Sequence, residues 1–322
     1  MLKYLNCFSK NRSNNNSVPR FASKNLRSKD FPINPPKSDF PSDVLKWLKL
    51  NASPRFSYKL MKVCKYFQHK ESFFFPTKSL CIYKNNATYS LLNGTESAVI
   101  PFKSLPSNLW ITKELTFYFD LPKSLSDIFS KISVSDVREL WLKSGKILFK
   151  DFKFLTDEGR IRLLKFNGTD VIFHENDETV VPLETILMCV PKIEHIVFAN
   201  NIVPSFHSNT SAKNLILPKL KKFVLMEFNE NFNLELFFDF IKKHKNTEFE
   251  VIIKKQEFSP EFTKQLQIQL DKLIKQWSPK YEPISFTFPN QTADSSVALA
   301  KLYDQYVKRK FKPGEHLAYY DY

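Results

Sequence analysis

The sequence predicts an α/β chain: a small helical unit near the N-terminus, then a larger part in which one strand and one helix recur irregularly. Three observations carry this. A stretch between clustered prolines, residues 40–75, has apolar residues at helical spacing. Beyond it, a six-residue pattern with apolar residues at positions one, four and six returns several times. Between its copies lie segments with helical periodicity.

Residues 1–39 come first. They are polar, basic and rich in Ser and Asn, with no acidic residue before Asp30. Such a segment buries too little apolar surface to offset its conformational entropy, and is expected to be disordered. Residues 40–76 follow as the helical unit. Ser42 or Asp43 is expected to cap a helix starting near Val44, with Val44, Leu45, Leu48 and Leu50 roughly on one face. "NASPRF" breaks it, and Phe56, Leu60, Val63, Cys64 and Phe67 are spaced by three and four in a second helix.

Residues 77–289 form the repeating part. "VRELWL" places Val137, Leu140 and Leu142 at positions one, four and six. "IRLLKF", "IEHIVF" and "LKKFVL" repeat this from Ile161, Ile193 and Leu220, and "TKELTF" is a weaker copy from Thr112. "FEVIIK", taken to start at Phe249, reads as a ragged last copy with plain alternation. Helical patterns in "SLSDIFSKI", "PLETILMCV" and "LELFFDFIKKHK" precede copies. One strand plus one helix per 20–30 residues or so is the plan of leucine-rich repeats, whose units bury their apolar faces only by stacking. The copies lack the Asn or Cys that ends the usual motif, so the expected architecture is an irregular, leucine-rich-repeat-like β/α solenoid. "PEFTKQLQIQLDKLIKQW" is the clearest helix, with Phe262, Leu266, Leu270, Leu273 and Trp277 as its buried stripe. Residues 290–322 hold a last helix and an aromatic, acidic tail.

The chemistry of an enzyme is missing from the sequence. No GxSxG, HExxH, GxxxxGK[ST] or GxGxxG occurs, and no two histidines stand three to five apart. No catalytic residue, metal site or cofactor is therefore expected. "FHENDE", from Phe173, reads as a solvated turn, and Cys64 as a small hydrophobe on a helix. Cys7, Cys64, Cys81 and Cys189 fit no zinc framework and read as reduced thiols, which suits the cytoplasm or nucleus. No apolar run reaches the length of a membrane span.

Charge is the other strong feature. There are 48 Lys and Arg against 33 Asp and Glu, a net charge of +15. The best local polyanion candidate is Lys308, Arg309 and Lys310, at the end of the last helix. No nucleic-acid recognition motif accompanies the charge, so nucleic acid is not the favoured partner.

The helical unit, "FPSDVLKWLKLNASPRFSYKLMKVCKYFQHKESFF", resembles an F-box. Phe40-Pro41 stands where that family opens with Leu-Pro, Val44, Leu45 and Leu48 follow, and Val63-Cys64-Lys65 closes the unit. With "LWITKELTFYF" and "VPKIEHIVF", the chain is similar to the large set of F-box-type proteins expanded in nematodes. The resemblance implies docking on a Skp-type adaptor through Pro41, Val44, Leu45, Leu48 and, more loosely, Val63 and Cys64. It also implies that the repeat half holds a protein substrate for a cullin–RING ubiquitin ligase. Two alternatives stay open: an interaction scaffold without a ligase role, and a basic solenoid associated with nucleic acid.

Overall fold

The computed structural model describes Pro35 and residues 39–52, 54–67, 75–91, 97–118, 125–174, 177–199, 204–254 and 258–311. The expected disorder before residue 39 and the C-terminal tail lie outside them, Pro35 and Asp39 apart. The chain divides into two compact units, one up to Phe73 and one from Phe74 onward.

The first unit holds helix α1 (Ser42–Asn51), helix α2 (Pro54–Val63) and a 3₁₀ turn at Lys65–Phe67. Helix α1 starts earlier than expected. Pro41 occupies the N-cap position and no side chain caps the helix there, so neither Ser42 nor Asp43 takes the predicted capping role. Leu45, Met61, Tyr66 and Phe67 are buried. The Lys49 ammonium lies 4.4 Å from the centre of the Tyr66 ring.

The second unit is mixed α/β around one large, mostly parallel sheet. A hairpin-linked start, β1 (Phe75–Tyr83), β2 (Asn86–Leu91) and β3 (Ser97–Pro101), is antiparallel. From β1 onward the sheet runs parallel through β4 (Leu109–Tyr118), β6 (Glu139–Leu148), β7 (Leu163–His174), β9 (His195–Ala199), β10 (Lys222–Met226), β11 (Glu248–Ile252) and β12 (Ile284–Thr287). Two short strands stand off this path: β5 (Ile132–Ser135) beside β4, and β8 (Asp177–Val180) beside β7.

The register explains the six-residue pattern. Leu80, Leu115, Leu140, Leu164, Ile196, Phe223, Phe249 and Ile284 lie side by side across the eight parallel strands. Ile82, Phe117, Leu142, Phe166, Phe198, Leu225, Val251 and Phe286 form a second row two residues along. All sixteen are buried. Strand residues of one parity share a face, so positions four and six of each copy point to one core. Position one is buried too at Val137, Ile161, Ile193 and Leu220. The last copy is shifted: Phe249 stands beside Phe223, so it fills position four and not position one. β1 and β12 extend the same rows although their sequences were not counted as copies.

Phenylalanine fills this core. Phe166 and Phe198 stack at 5.1 Å and 2°, Phe198 lies 5.9 Å from Phe223, and Phe223 lies 5.8 Å from Phe249. Helices cover the same face. Phe129 of α3 (Leu125–Phe129) meets Phe117, Phe152 of α4 (Phe149–Thr156) meets Phe166, and Phe237 and Phe240 of α7 (Leu234–Lys243) meet Phe223. Helices α5 (Leu183–Met188) and α6 (Asn209–Asn214) precede β9 and β10. Two longer helices close the unit, α8 (Pro260–Gln276) and α9 (Ala293–Lys310). The predicted α8 stripe is buried in full, with Ser259 accepting from the Phe262 N–H as N-cap.

Candidate functional site

Among the described residues no cluster of His, Cys, Asp and Glu is arranged to hold a metal, and no helix is long and apolar enough to cross a membrane. Each unit has one surface on which apolar or aromatic side chains group.

On the first unit, α1 is apolar on more than one side. Leu45 is 6% exposed, whereas Phe40, Val44 and Trp47 are 64%, 38% and 61% exposed. Val44 and Trp47, three apart, share one face of α1, and Phe40 stands two residues before the helix begins. Of the adaptor-docking residues expected from the sequence, Pro41, Val44 and Val63 are exposed, Leu48 and Cys64 are half-buried, and Leu45 is buried. Phe40, Trp47 and Phe56 are exposed apolar residues that the sequence reading did not select. The spacing of three between Val44 and Trp47 was the available signal for Trp47.

On the second unit, the sheet face opposite the phenylalanine core carries the strand residues of the other parity. At its β1–β7 end, aromatic rings and lysines interleave. Tyr83 and Tyr118 pack edge to face at 5.0 Å. Trp141 follows on β6, beside Thr116 and Lys165 in the register. Lys143 Nζ donates to the Tyr118 hydroxyl at 2.8 Å and lies 4.6 Å from the Tyr118 ring and 5.4 Å from Trp141. Lys165 Nζ sits 4.0 Å over Trp141 and Lys84 Nζ 5.2 Å over Tyr83. Burial holds the Lys165 amine below its ordinary value. Glu139 and Glu114 pull it back up, while the Lys143 charge lowers it further.

Further along the same face the charges pair off. Lys222 bridges Glu248 at 2.8 Å and Glu250 at 3.2 Å, and Lys221 reaches Glu194 at 2.6 Å. The Lys221 hydrogen bond is the main reason that the Glu194 carboxyl titrates below its usual range. His195 lies in this row between Leu163 and Lys222.

The polyanion candidates are each engaged. Lys308 pairs with Asp304 of its own helix at 2.6 Å, Arg309 donates to the Lys280 carbonyl at 2.8 Å, and Lys310 pairs with Glu282 at 3.0 Å. Glu282 also accepts from the Tyr306 hydroxyl, so this basic cluster ties α9 to the loop before β12. Of "FHENDE", His174 ends β7 opposite Asp177 of antiparallel β8, and the predicted turn between them, at residues 175 and 176, lies outside the described residues.

No family model, curated protein or solved structure matches the chain.

Proposed function

We propose that the chain is a substrate-recognition subunit of a cullin–RING ubiquitin ligase. Its first unit would dock a Skp-type adaptor as an F-box does, and its second would hold a protein substrate as an irregular, leucine-rich-repeat-like solenoid. The observation that carries this reading is the exposed apolar set Phe40, Val44 and Trp47, which includes one residue, Val44, that the F-box resemblance expects at the adaptor and flanks it with two more. Large apolar side chains grouped on one helix face are the usual anchors of helix-in-groove recognition. The sheet half supports the reading through its eight parallel strands, which follow one another in chain order and in register. In this reading the chain itself performs no chemistry; it brings a substrate lysine close to the ligase, and proximity supplies the rate.

The test is capture on immobilised Skp-type adaptor. Val44→Asp and Trp47→Asp together place charges on exposed positions and spare the buried Leu45. Capture of the intact protein, lost in the double variant, is the expected result. Equal capture of both, or capture of neither, overturns the proposal.

A further inference from the structure

We propose that the outer sheet face at β1, β4, β6 and β7 is a docking surface for an acidic peptide segment of another protein. Carboxylates would seat among Lys84, Lys143 and Lys165, and apolar side chains would lie against Tyr118 and Trp141. This deepens the reading of the second unit as a substrate holder and rests on it only for the occupant's identity as a substrate.

Charge complementarity carries the argument. Elsewhere on this face the cations stand opposite carboxylates, as Lys222 does between Glu248 and Glu250. At the β1–β7 end one such pair remains, Lys113 with Glu139 at 3.5 Å, and Lys143 departs from the pattern. Lys143 Nζ meets a phenol oxygen and two ring faces, and it takes part in none of the ion pairs formed among the described residues. It lies close enough to Lys165 for the two charges to oppose each other. Lys84 adds a third ammonium at the edge of the same aromatic group. A cation resting on a ring and a neutral hydroxyl is only partly compensated, so an incoming carboxylate gains a charge-assisted hydrogen bond there.

The geometry favours an extended peptide. Neighbouring strands are about 4.8 Å apart and alternate side chains about 7 Å apart along a strand. Lys143 and Lys165, one strand and one side-chain step apart, therefore match the spacing of acidic side chains on extended backbone. Tyr118 and Trp141 offer ring surface between the charges. A nucleic-acid strand fits less well. Glu114 and Glu139 lie in the row next to Trp141 and would oppose phosphates that follow one another without a break, whereas a peptide can set uncharged residues over them.

The experiment uses the full chain and three fluorescein-labelled probes of equal length. They are an alternating Glu/Leu peptide with one Tyr, the same peptide with Gln for Glu, and an oligothymidine. Fluorescence anisotropy is read at low and at physiological salt. The Glu peptide is expected to bind at least about tenfold tighter than the Gln peptide, with affinity falling as salt rises. Lys143→Gln with Lys165→Gln should remove most of that difference, whereas Lys308→Gln with Lys310→Gln should not. Circular dichroism of each variant confirms that it is folded, and Lys143→Arg should retain binding. Equal affinity for the Glu and Gln peptides overturns the proposal. So does unchanged binding by the folded Lys143/Lys165 variant, or oligothymidine bound tightest and weakened by that variant. Adaptor capture through Val44 and Trp47 is read separately, so failure of either result leaves the other standing.

Discussion

His244 illustrates how much one side chain can fix. It is buried at the C-cap of α7. Its Nε2 accepts from the Leu217 N–H at 3.0 Å, which leaves Nδ1 to donate to the Phe240 carbonyl at 2.9 Å. That pair of bonds requires the neutral ring with its proton on Nδ1. Burial pushes the imidazole below its ordinary value, Lys243 adds to the shift, and the Phe240 carbonyl opposes it. The unfolded chain therefore takes up this proton at higher pH than the folded one. The contribution to stability is full above about pH 6.5 and is lost as the pH falls below that value. The urea midpoint should be lower at pH 5.5 than at pH 7.5, and His244→Gln should shrink the difference. An unchanged pH dependence in the variant would exclude this role. Some dependence should persist, because burial also lowers His195. Nothing in "KKHK" announces the role, since Leu217, 27 positions earlier, supplies the deciding N–H.

Strands and helices were far more legible than single partners. Apolar residues at positions four and six mark the buried rows, because a pleated strand sends alternate side chains to one side. The pattern misplaced the last copy because Phe249 is apolar enough to pass for position one, and only its neighbour Phe223 sets the register. Helix α4 went unread, as its eight residues follow β6 directly without a break signal. The outer patch was also out of reach: Tyr83, Tyr118, Trp141 and Lys165 meet only once four strands are laid side by side. At this scale Phe198 is the decisive residue. It is 1% exposed and lies between Phe166 and Phe223. Phe198→Ala should cost about 3–5 kcal/mol, measured by urea unfolding, because the phenyl leaves a cavity that rigid neighbours cannot close. A loss below about 1 kcal/mol would mean that the rows repack freely around the gap.

Net charge belongs to the whole molecule. Lys308, Arg309 and Lys310 are the densest basic run of the last helix, yet each is already bound within the fold. Replacing all three by Gln removes three of the net +15 charges. Elution from a heparin column should therefore shift only modestly toward lower salt, in line with the change in total charge. Collapse of retention would instead mark this helix end as a dedicated polyanion site. The larger effect should be on thermal stability, as Lys310 no longer meets Glu282.

The sheet also has a property that no single strand reveals. From β1 to β12 each parallel strand offers its successor the same two apolar rows that it received from its predecessor. An added strand-and-helix unit spliced between β9 and β10 would meet familiar neighbours on both sides. The array is thus tolerant of growth and shrinkage by whole units.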